Sequence, residues 1–268
     1  MPDKQAVNNP MEVRSGLDGR EPEPRRPSQC LRRGSWIQHT YVANTLRTNQ
    51  IRTVLSHLFV AAAQDDETAR LRKERVSWET ATAQEHADAS ESTYMSISAQ
   101  GGNLLYILAR AKRPNIIVEF GTSYGISTIY LAAAVADNRK GHVVSTELNT
   151  AKVAAARASL TEACLADHVT ILPGDATTTL NDLLGPIDLG LLDGWKDLCL
   201  PLLRSLESRL ASGALIIADD INLSSLRGYL EYVRDPAHGY VSAAFPVEDG
   251  MEISCRTSHE PTDQKGAS

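Results

Sequence analysis

The sequence is poor in cysteine, in aromatic residues and in long apolar runs. Its four cysteines, Cys30, Cys164, Cys199 and Cys255, are widely spaced, which predicts neither a disulfide framework nor a CxxC metal site. The last three stand in apolar contexts and are expected to be small buried side chains. No apolar run approaches the roughly 18 residues that a membrane-spanning helix needs. We therefore expect a cytoplasmic protein that has no membrane partner.

Basic surface charge is also lacking. The chain has 33 acidic and 27 basic residues, a net charge of −6, and only 5% aromatic residues. A nucleic-acid-binding surface usually combines a basic stripe with aromatic side chains. With 42% apolar residues in 268, the composition is that of an ordinary globular protein. The expected partner is a small molecule rather than a nucleic acid.

Hydropathy divides the chain into four segments. Residues 1–35 are rich in proline and charge, which predicts a disordered arm. Residues 36–112 predict a helical extension, residues 113–258 a core of alternating strands and helices, and residues 259–268 a flexible tail. The arm has no apolar stretch of the kind that a signal peptide contains.

The predicted helical extension contains two patterns. Apolar residues from position 51 to 62 recur at the spacing of one helix face. An acidic run at Asp65 predicts the first turn of a charged helix that reaches about Ser90. These helices could pack on a sheet, close over a site as a lid, or form the surface of a homodimer. We expect packing with some lid function.

From Asn115 onward, short apolar runs alternate with helical stretches. The runs cover residues 116–118, 142–145, 169–172, 187–192 and 214–217. This alternation predicts an α/β fold with a mostly parallel sheet that is covered on both faces. The last two runs, 240–245 and 251–255, are joined by a linker too short for a parallel crossover. They are therefore predicted to form an antiparallel hairpin, which follows a helix near residues 223–233.

A glycine-containing loop follows the first predicted strand. Its sequence is EFGTSYG at residues 119–125, and glycines at such a turn let a ligand approach the backbone closely. The next strand ends at Glu147, which is placed to accept hydrogen bonds from both ribose hydroxyls of a nucleoside. The third strand ends before Asp175, which can meet an adenine amino group. Together these strand ends predict a nucleoside site.

Other classes of protein use a similar loop. GTSYG also matches the G-x-S-x-G turn of α/β-hydrolases, with Ser123, Asp219 and His238 in the order of a catalytic triad. That fold needs strands before the turn, whereas the preceding hundred residues indicate helices. A nicotinamide dehydrogenase would need G-x-G-x-x-G for a pyrophosphate. A catalytically silent nucleoside-binding module is a further alternative.

Five short motifs stand at successive predicted strand ends. They are EFGTSYGIS at 119–127, TE at 146–147, GDA at 174–176, LDGWK at 192–196 and ADD at 218–220. Together they resemble the class I S-adenosylmethionine-dependent methyltransferases, specifically the catechol-type small-molecule O-methyltransferases. The resemblance covers about residues 98–256. It implies a Rossmann-like fold with a seven-stranded sheet, S-adenosylmethionine as cofactor, and methyl transfer to an oxygen of a phenolic or catechol-like acceptor.

The resemblance also implies roles for individual residues. The cofactor-binding residues would be Glu119, Gly121, Ser123, Gly125, Ser127, Glu147, Asp175, Ala176 and Asp193. Lys196 would be the general base beside Asp193, and Asp193, Asp219 and Asp220 would bind Mg²⁺ or another divalent cation. Trp195, between polar residues at a strand end, is expected to form a wall of the acceptor pocket. Two positions depart from the family pattern, since Asp220 replaces an Asn and Gly194 follows Asp193.

The two adjacent aspartates impose a geometric condition on this predicted metal site. Carboxylate oxygens at neighbouring strand ends are the ligand type that Mg²⁺ prefers. However, adjacent residues of a strand point to opposite faces of the sheet. Asp219 and Asp220 can therefore share one cation only where the strand is already turning. The alternative is that Asp220 caps a helix that begins near Asn222.

Overall fold

The computed structural model describes residues 44–65 and 81–257. The predicted arm, the predicted tail and residues 66–80 of the predicted charged helix lie outside these residues. Within the described part of the chain, no helix is both long and apolar enough to cross a membrane.

The centre of the fold is a seven-stranded sheet with the order β3-β2-β1-β4-β5-β7-β6. The strands are β1 (Ile116–Phe120), β2 (His142–Glu147), β3 (Val169–Pro173), β4 (Ile187–Leu192), β5 (Leu210–Ala218), β6 (Tyr240–Phe245) and β7 (Met251–Arg256). Strands β1 to β5 are parallel, and β7 runs antiparallel to both β5 and β6. The predicted α/β fold, with a mostly parallel sheet and a C-terminal antiparallel hairpin, is confirmed.

Helices cover both faces of the sheet. They are α1 (Asn49–Ala62), α2 (Ala83–Ala89), α3 (Ala99–Lys112), α4 (Ile126–Asn138), α5 (Thr150–Glu162), α6 (Ala176–Thr179), α7 (Cys199–Leu206) and α8 (Arg227–Arg234). One apolar cluster joins α1, α3, α4 and α5 to one face, and a second joins α6, α7 and α8 to the other. Neighbouring strand residues such as Ile117 and Val118 belong to different clusters. Because both faces are buried, the strands have continuous apolar runs instead of alternating ones.

The apolar face predicted for α1 is buried. Ile51, Val54, Leu55 and Leu58 point into the core shared with α4 and α5. Just before α1, the carboxylate of Asp137 in α4 accepts hydrogen bonds from Thr45, both from its backbone N–H at 3.0 Å and from its hydroxyl. Tyr106 of α3 donates its hydroxyl to the same carboxylate at 2.6 Å. One buried acid therefore ties the segment before α1 to the core.

Two predicted helix boundaries are wrong. The charged helix does not run unbroken to Ser90, because Thr82 has an extended backbone and caps a new helix, α2, in a capping box with Glu85. The last helix begins at Arg227 rather than near residue 223, because a short 3₁₀ turn at Ser224–Leu226 precedes it. At helix ends, local hydrogen bonds of this kind decide where the helix begins, and the spacing of apolar residues does not.

The cysteines differ from one another in their surroundings. Cys199 is fully buried in α7, as expected, whereas Cys255 is only partly buried in β7. Cys164 is also partly exposed, and it takes part in a disulfide bond. The expectation of buried side chains is therefore wrong for Cys164 and Cys255, and the disulfide bond of Cys164 was not predicted from the sequence.

Candidate active site

A cleft opens at the carboxyl ends of β1, β2, β3 and β4. The strand order turns back between β1 and β4, because β2 and β3 lie on one side of β1 and β5 lies beyond β4. Such a switch point is where open α/β sheets bind ligands. The lining includes predicted site residues from four successive strand ends, namely Gly121, Glu147, Asp175 and Asp193.

Two glycines let β1 and β4 approach each other at this edge of the sheet. Gly121 has a φ of +99°, and a Cβ atom there would lie 2.7 Å from the carbonyl oxygen of Asp193. A Cβ atom on Gly194 would lie 2.5 Å from the ring of Phe120. The departure at Gly194 therefore has a packing reason. Gly125, with a φ of +88°, begins α4 and does not itself line the cleft.

Glu119 lies beneath the cleft instead of in it. Its fully buried carboxylate accepts hydrogen bonds from Ser127 and Thr128 of α4, each at 2.6 Å, and from Ser145 of β2. Burial raises the pKa of Glu119 to about 7, even though these three donors favour the charged form. Glu119 was expected to contact the cofactor directly. It does not line the cleft, because its carboxylate joins β1, β2 and α4. Ser127 does line the cleft.

Glu147 and Ser123 are joined at the rim where a ribose is expected. Glu147 accepts the backbone N–H of Ser123 at 2.8 Å on one oxygen and that of Asn149 at 2.9 Å on the other. These two bonds orient the carboxylate, and each oxygen keeps a lone pair for a further donor. Ser123 has a φ of +46° and donates its hydroxyl to the carbonyl of Tyr94 at 2.7 Å. Its hydroxyl also accepts a bond from Lys152 at 3.2 Å.

The third strand end contributes Asp175 and Ala176 to the lining. Asp175 caps the short helix α6, because its carboxylate accepts bonds from the N–H and the hydroxyl of Thr177, both at 2.8 Å. The cap holds Asp175 at the edge of the cleft. Its contact with an adenine stays a prediction.

Three carboxylates meet at the ends of β4 and β5. Asp193, Asp219 and Asp220 bring one oxygen each within 4.8 Å of one another. Strand β5 ends at Ala218 and Asp220 has a φ of +58°, so the chain is turning where both aspartates must face one site. Asp220 does not cap a helix near Asn222, because the next turn begins at Ser224 without a side-chain cap. The geometric condition for a shared cation is met.

Asp219 is the most enclosed of the three acids. It is 4% exposed, and its Oδ1 atom has no hydrogen-bond partner among residues 44–65 and 81–257. Burial, reinforced by Asp193 and Asp220, raises the pKa of Asp219 to about 8. A buried carboxylate oxygen that lacks a protein partner is a vacant acceptor for a cation or a donor.

Lys196 is ion-paired to the other two acids. Its Nζ atom lies 2.8 Å from Asp193 Oδ1 and 3.0 Å from Asp220 Oδ2, and its side chain is 11% exposed. Burial alone would lower the pKa of Lys196, but the two carboxylates outweigh it and raise the pKa above the ordinary value. Without a further positive charge at these acids, Lys196 is an ammonium and not a base.

The segment of residues 83–98, formed by α2 and the extended chain after it, covers one side of the cleft. The ring of Tyr94 stacks on that of Tyr124 with centroids 3.9 Å apart, and Tyr124 donates its hydroxyl to the carbonyl of Glu91 at 2.6 Å. At the other end, the ring of His86 lies 5.4 Å from that of Trp195, which lines the cleft as expected. Sequence reasoning missed Tyr94, which belongs to no motif, and it assigned no role to Tyr124, although Tyr124 lies within the EFGTSYG loop.

The hydrolase triad is not assembled. His238 precedes β6, its Nδ1 atom lies 2.9 Å from the carbonyl oxygen of Tyr232, and its ring stacks on Tyr232. Strand β6 runs parallel to β5, since both are antiparallel to β7. His238 therefore lies at the amino ends of the parallel strands, whereas Ser123 follows the carboxyl end of β1. The reading of Ser123 as the nucleophile of a hydrolase is wrong.

Known proteins with related sequences are methyltransferases. Residues 118–221 match a family described as a methyltransferase domain. The catechol O-methyltransferase of Mycobacterium tuberculosis is 34% identical over 136 residues, which are 50% of this chain and 61% of that protein. Catechol O-methyltransferase B of Danio rerio is 28% identical over 174 residues, or 60% and 65% of the two chains. The chain thus spans less than two thirds of the length of these relatives.

Solved structures share the fold. The cofactor-bound protein Rv0187 from MTB is 26% identical with a TM-score of 0.58, and the match covers 79% of this chain and 99% of that one. The O-methyltransferase TomG from Streptomyces achromogenes, solved in complex with SAM, is 21% identical with a TM-score of 0.57. That match covers 74% of this chain and 99% of TomG. The Rossmann-like fold and the family resemblance inferred from the motifs are confirmed.

The buried Glu119 generates a prediction about stability and pH. The pKa of Glu119 in the folded state, about 7, is above its ordinary value of 4.5, so the folded state retains a proton that the unfolded state loses. The contribution to the free energy of unfolding therefore falls as the pH rises from 4.5 to 7, by about 3 kcal/mol. Urea unfolding at pH 5 and pH 8 should show that Glu119→Gln gains stability relative to the wild type at the higher pH. A stability difference that is the same at both pH values would contradict this assignment.

Proposed function

We propose that this chain, which carries a class I S-adenosylmethionine-dependent methyltransferase domain, transfers a methyl group to an oxygen of a small-molecule acceptor. The observation that carries the proposal is the position of Asp193. It lines the nucleoside-type cleft and also belongs to the cluster of three carboxylates with Lys196. A methyl donor and an oxygen acceptor would therefore meet at the end of β4.

The cleft fits S-adenosylmethionine, the cofactor that supplies a sulfonium methyl group. Gly121 lines the cleft without a side chain, and glycines at such a turn let a ligand approach the backbone closely. Glu147 is held in place by two backbone donors at the expected ribose position. Ser123, Ser127, Asp175 and Ala176 complete the side of the cleft that would hold the nucleoside and the amino-acid part of the cofactor.

The carboxylate cluster fits a divalent cation such as Mg²⁺. The vacant Asp219 Oδ1 atom is the observation that favours this ion, because hydrogen bonds from the described residues leave that oxygen unused. Asp193, Asp219 and Asp220 would hold it, and all three offer the oxygen ligands that Mg²⁺ prefers. A bound divalent cation lowers the pKa of a coordinated hydroxyl and favours its ionised form.

Lys196 is the residue placed to hold the proton that the acceptor hydroxyl loses. It follows Trp195 directly, and its ammonium contacts Asp193 at the boundary between the cleft and the acid cluster. The remaining lowering of the activation barrier would come from positioning. Holding the acceptor oxygen in line with the methyl group lowers the barrier without a further catalytic group.

The acceptor that fits best is a phenol with neighbouring hydroxyls. Met95, Ile97, Trp195 and Leu198 give the cleft an apolar lining beside Asp193. Such a wall suits a flat aromatic ring, and the adjacent carboxylates suit hydroxyls that share a cation. The relatives named as catechol O-methyltransferases agree with this substrate class.

Residues 83–98 are well placed to act as the lid expected of the helical extension. They reach from Trp195 on the acceptor side to Tyr124 on the cofactor side. Closure of such a segment would exclude water from the methyl group. The homodimer, the cytoplasmic location and the domain boundaries inferred from the sequence stay predictions.

Replacing Glu147 should weaken cofactor binding. Charge-assisted bonds to the ribose hydroxyls contribute roughly 1.5–3 kcal/mol each, so Glu147→Ala should weaken S-adenosylhomocysteine binding by at least about tenfold. Glu147→Gln, which keeps one acceptor oxygen for the N–H of Ser123, is the matched control and should lose less. Calorimetry measures both, and thermal unfolding verifies the fold. Wild-type affinity in a folded Glu147→Ala variant would remove the nucleoside site.

Replacing Lys196 should affect turnover and leave cofactor affinity unchanged. Lys196→Met keeps the apolar stem and removes the proton acceptor, and a positioned general base usually contributes on the order of 10²–10⁴ in rate. Initial rates with catechol and S-adenosylmethionine measure the loss. The exposed Lys140→Met is the control for loss of one positive charge. Undiminished turnover in Lys196→Met would refute its role as the base.

Removal of divalent cations should abolish activity. EDTA is expected to stop methyl transfer to catechol, and excess Mg²⁺ should restore it, because the acceptor hydroxyl is mostly protonated near neutral pH. Binding of S-adenosylhomocysteine should persist in EDTA, since Gly121, Glu147 and Asp175 line the cleft outside the acid cluster and only Asp193 is shared between the two. Full activity in EDTA, with a defect still present in Lys196→Met, would reject the cation and retain the base.

A further inference from the structure

The ammonium of Lys196 lies among the acids that a cation would use. It contacts Asp193 Oδ1 at 2.8 Å and Asp220 Oδ2 at 3.0 Å. Both side chains belong to the group of three whose oxygens lie within 4.8 Å of one another. Two of the three acids are therefore already paired with a positive charge that the chain itself provides.

The third acid differs from the other two. Asp219 is nearly completely buried, and its Oδ1 atom has no hydrogen-bond partner within residues 44–65 and 81–257. No ion pair joins it to Lys196 in this described region, where the two ammonium contacts go to Asp193 and Asp220. Asp219 is thus an acceptor that the lysine leaves vacant, which indicates room for a second positive charge at the same cluster.

Two positive charges at this distance oppose each other. An ammonium within 3 Å of two carboxylates neutralises part of the field that attracts a divalent cation, and burial makes the repulsion between the charges stronger than in water. If Lys196 and the cation were bound at the same time, Asp193 and Asp220 would also have to share their carboxylate oxygens between the ammonium and the cation. Asp220 has a left-handed backbone at the turn after β5, and from this turn its carboxylate reaches Lys196.

We propose that Lys196 and a divalent cation compete for Asp193 and Asp220, with Asp219 as the anchor that belongs to the cation alone. Binding of the cation then releases the ammonium from its two carboxylates. Because coupling between two ligands is reciprocal, whatever weakens the lysine's pairing strengthens cation binding. The inference rests on the proposed function, since it concerns the same acid cluster, and it assigns Asp220 the role of coupling the cation to the base.

Direct Mn²⁺ binding tests this competition without any measurement of activity. Electron paramagnetic resonance of free Mn²⁺ gives the dissociation constant for the full chain in the absence of cofactor and acceptor. Lys196→Met should bind Mn²⁺ at least about tenfold more tightly than the wild type, because the competing charge is gone. Lys196→Gln provides a second neutral side chain, should the methionine variant fail to fold. Lys152→Met removes another buried ammonium, which contacts Ser123, and it should change Mn²⁺ affinity by less than about threefold.

The role of Asp220 is tested by a double-mutant cycle. Asp220→Asn should weaken Mn²⁺ binding, and in that background Lys196→Met should tighten it by about threefold or less, because only Asp193 remains shared. Unchanged or weaker Mn²⁺ binding in Lys196→Met would overturn the competition. An equal gain in both backgrounds would overturn the coupling role of Asp220, and the absence of Mn²⁺ binding in every variant would overturn the inference as a whole.

Failure of the proposed function has a different signature. Calorimetry with S-adenosylhomocysteine on the same samples reports the nucleoside side of the cleft. A chain that binds Mn²⁺ competitively with Lys196 but does not bind S-adenosylhomocysteine would refute the methyltransferase proposal and leave the competition standing. A chain that binds S-adenosylhomocysteine but whose Mn²⁺ affinity does not depend on Lys196 would refute the competition and leave the methyltransferase proposal standing.

Discussion

The close approach of β1 and β4 at their carboxyl ends is the constraint on which the site depends. A Cβ atom at Gly121 would collide with the carbonyl of Asp193, and a Cβ atom at Gly194 would collide with the ring of Phe120. This contact brings together the turn that we propose to receive the nucleoside and Asp193, the acid that joins the cleft to the cluster of three carboxylates. Glu119, buried directly beneath, fixes the turn through hydroxyls of α4 and β2. In the proposed reaction, the methyl donor and the acceptor would meet only because these two strand ends do.

Charge at the end of β4 and β5 is confined to a small, largely buried volume. Three carboxylates and one ammonium cannot all be stable there in isolation, because a buried charge needs a partner or loses its charge. Lys196 provides that partner for two of the acids, while Asp219 is left with a raised pKa. An arrangement of this kind is poor as a source of stability and useful as a source of reactivity. Its incomplete neutralisation is the reason that we propose a cation there.

The sequence predicted the strands of the core well, because burial on both faces leaves continuous apolar runs that cannot be mistaken for exposed loops. It also placed Gly121, Glu147 and Asp193 on one edge of the sheet, since motifs at parallel strand ends must share that edge. The period of apolar residues carries no information about partners far away in the chain. The contact of Ser123 with Tyr94 and the hydroxyl groups that donate to Glu119 could therefore not be predicted from the sequence. Helix boundaries failed where a local cap such as Thr82 decided them.

The buried Asp137 has a consequence for anyone who wishes to shorten the protein. Its carboxylate takes two donors from Thr45 and one from Tyr106, so the residues immediately before α1 are part of the folded core. A truncation that begins at Asn49 would keep every residue of α1 yet leave an acid in the interior with a single neutral donor. A truncation that begins before Thr45 would keep that acid satisfied. The useful boundary for crystallisation therefore lies upstream of the first helix, at a position that helix prediction alone would discard.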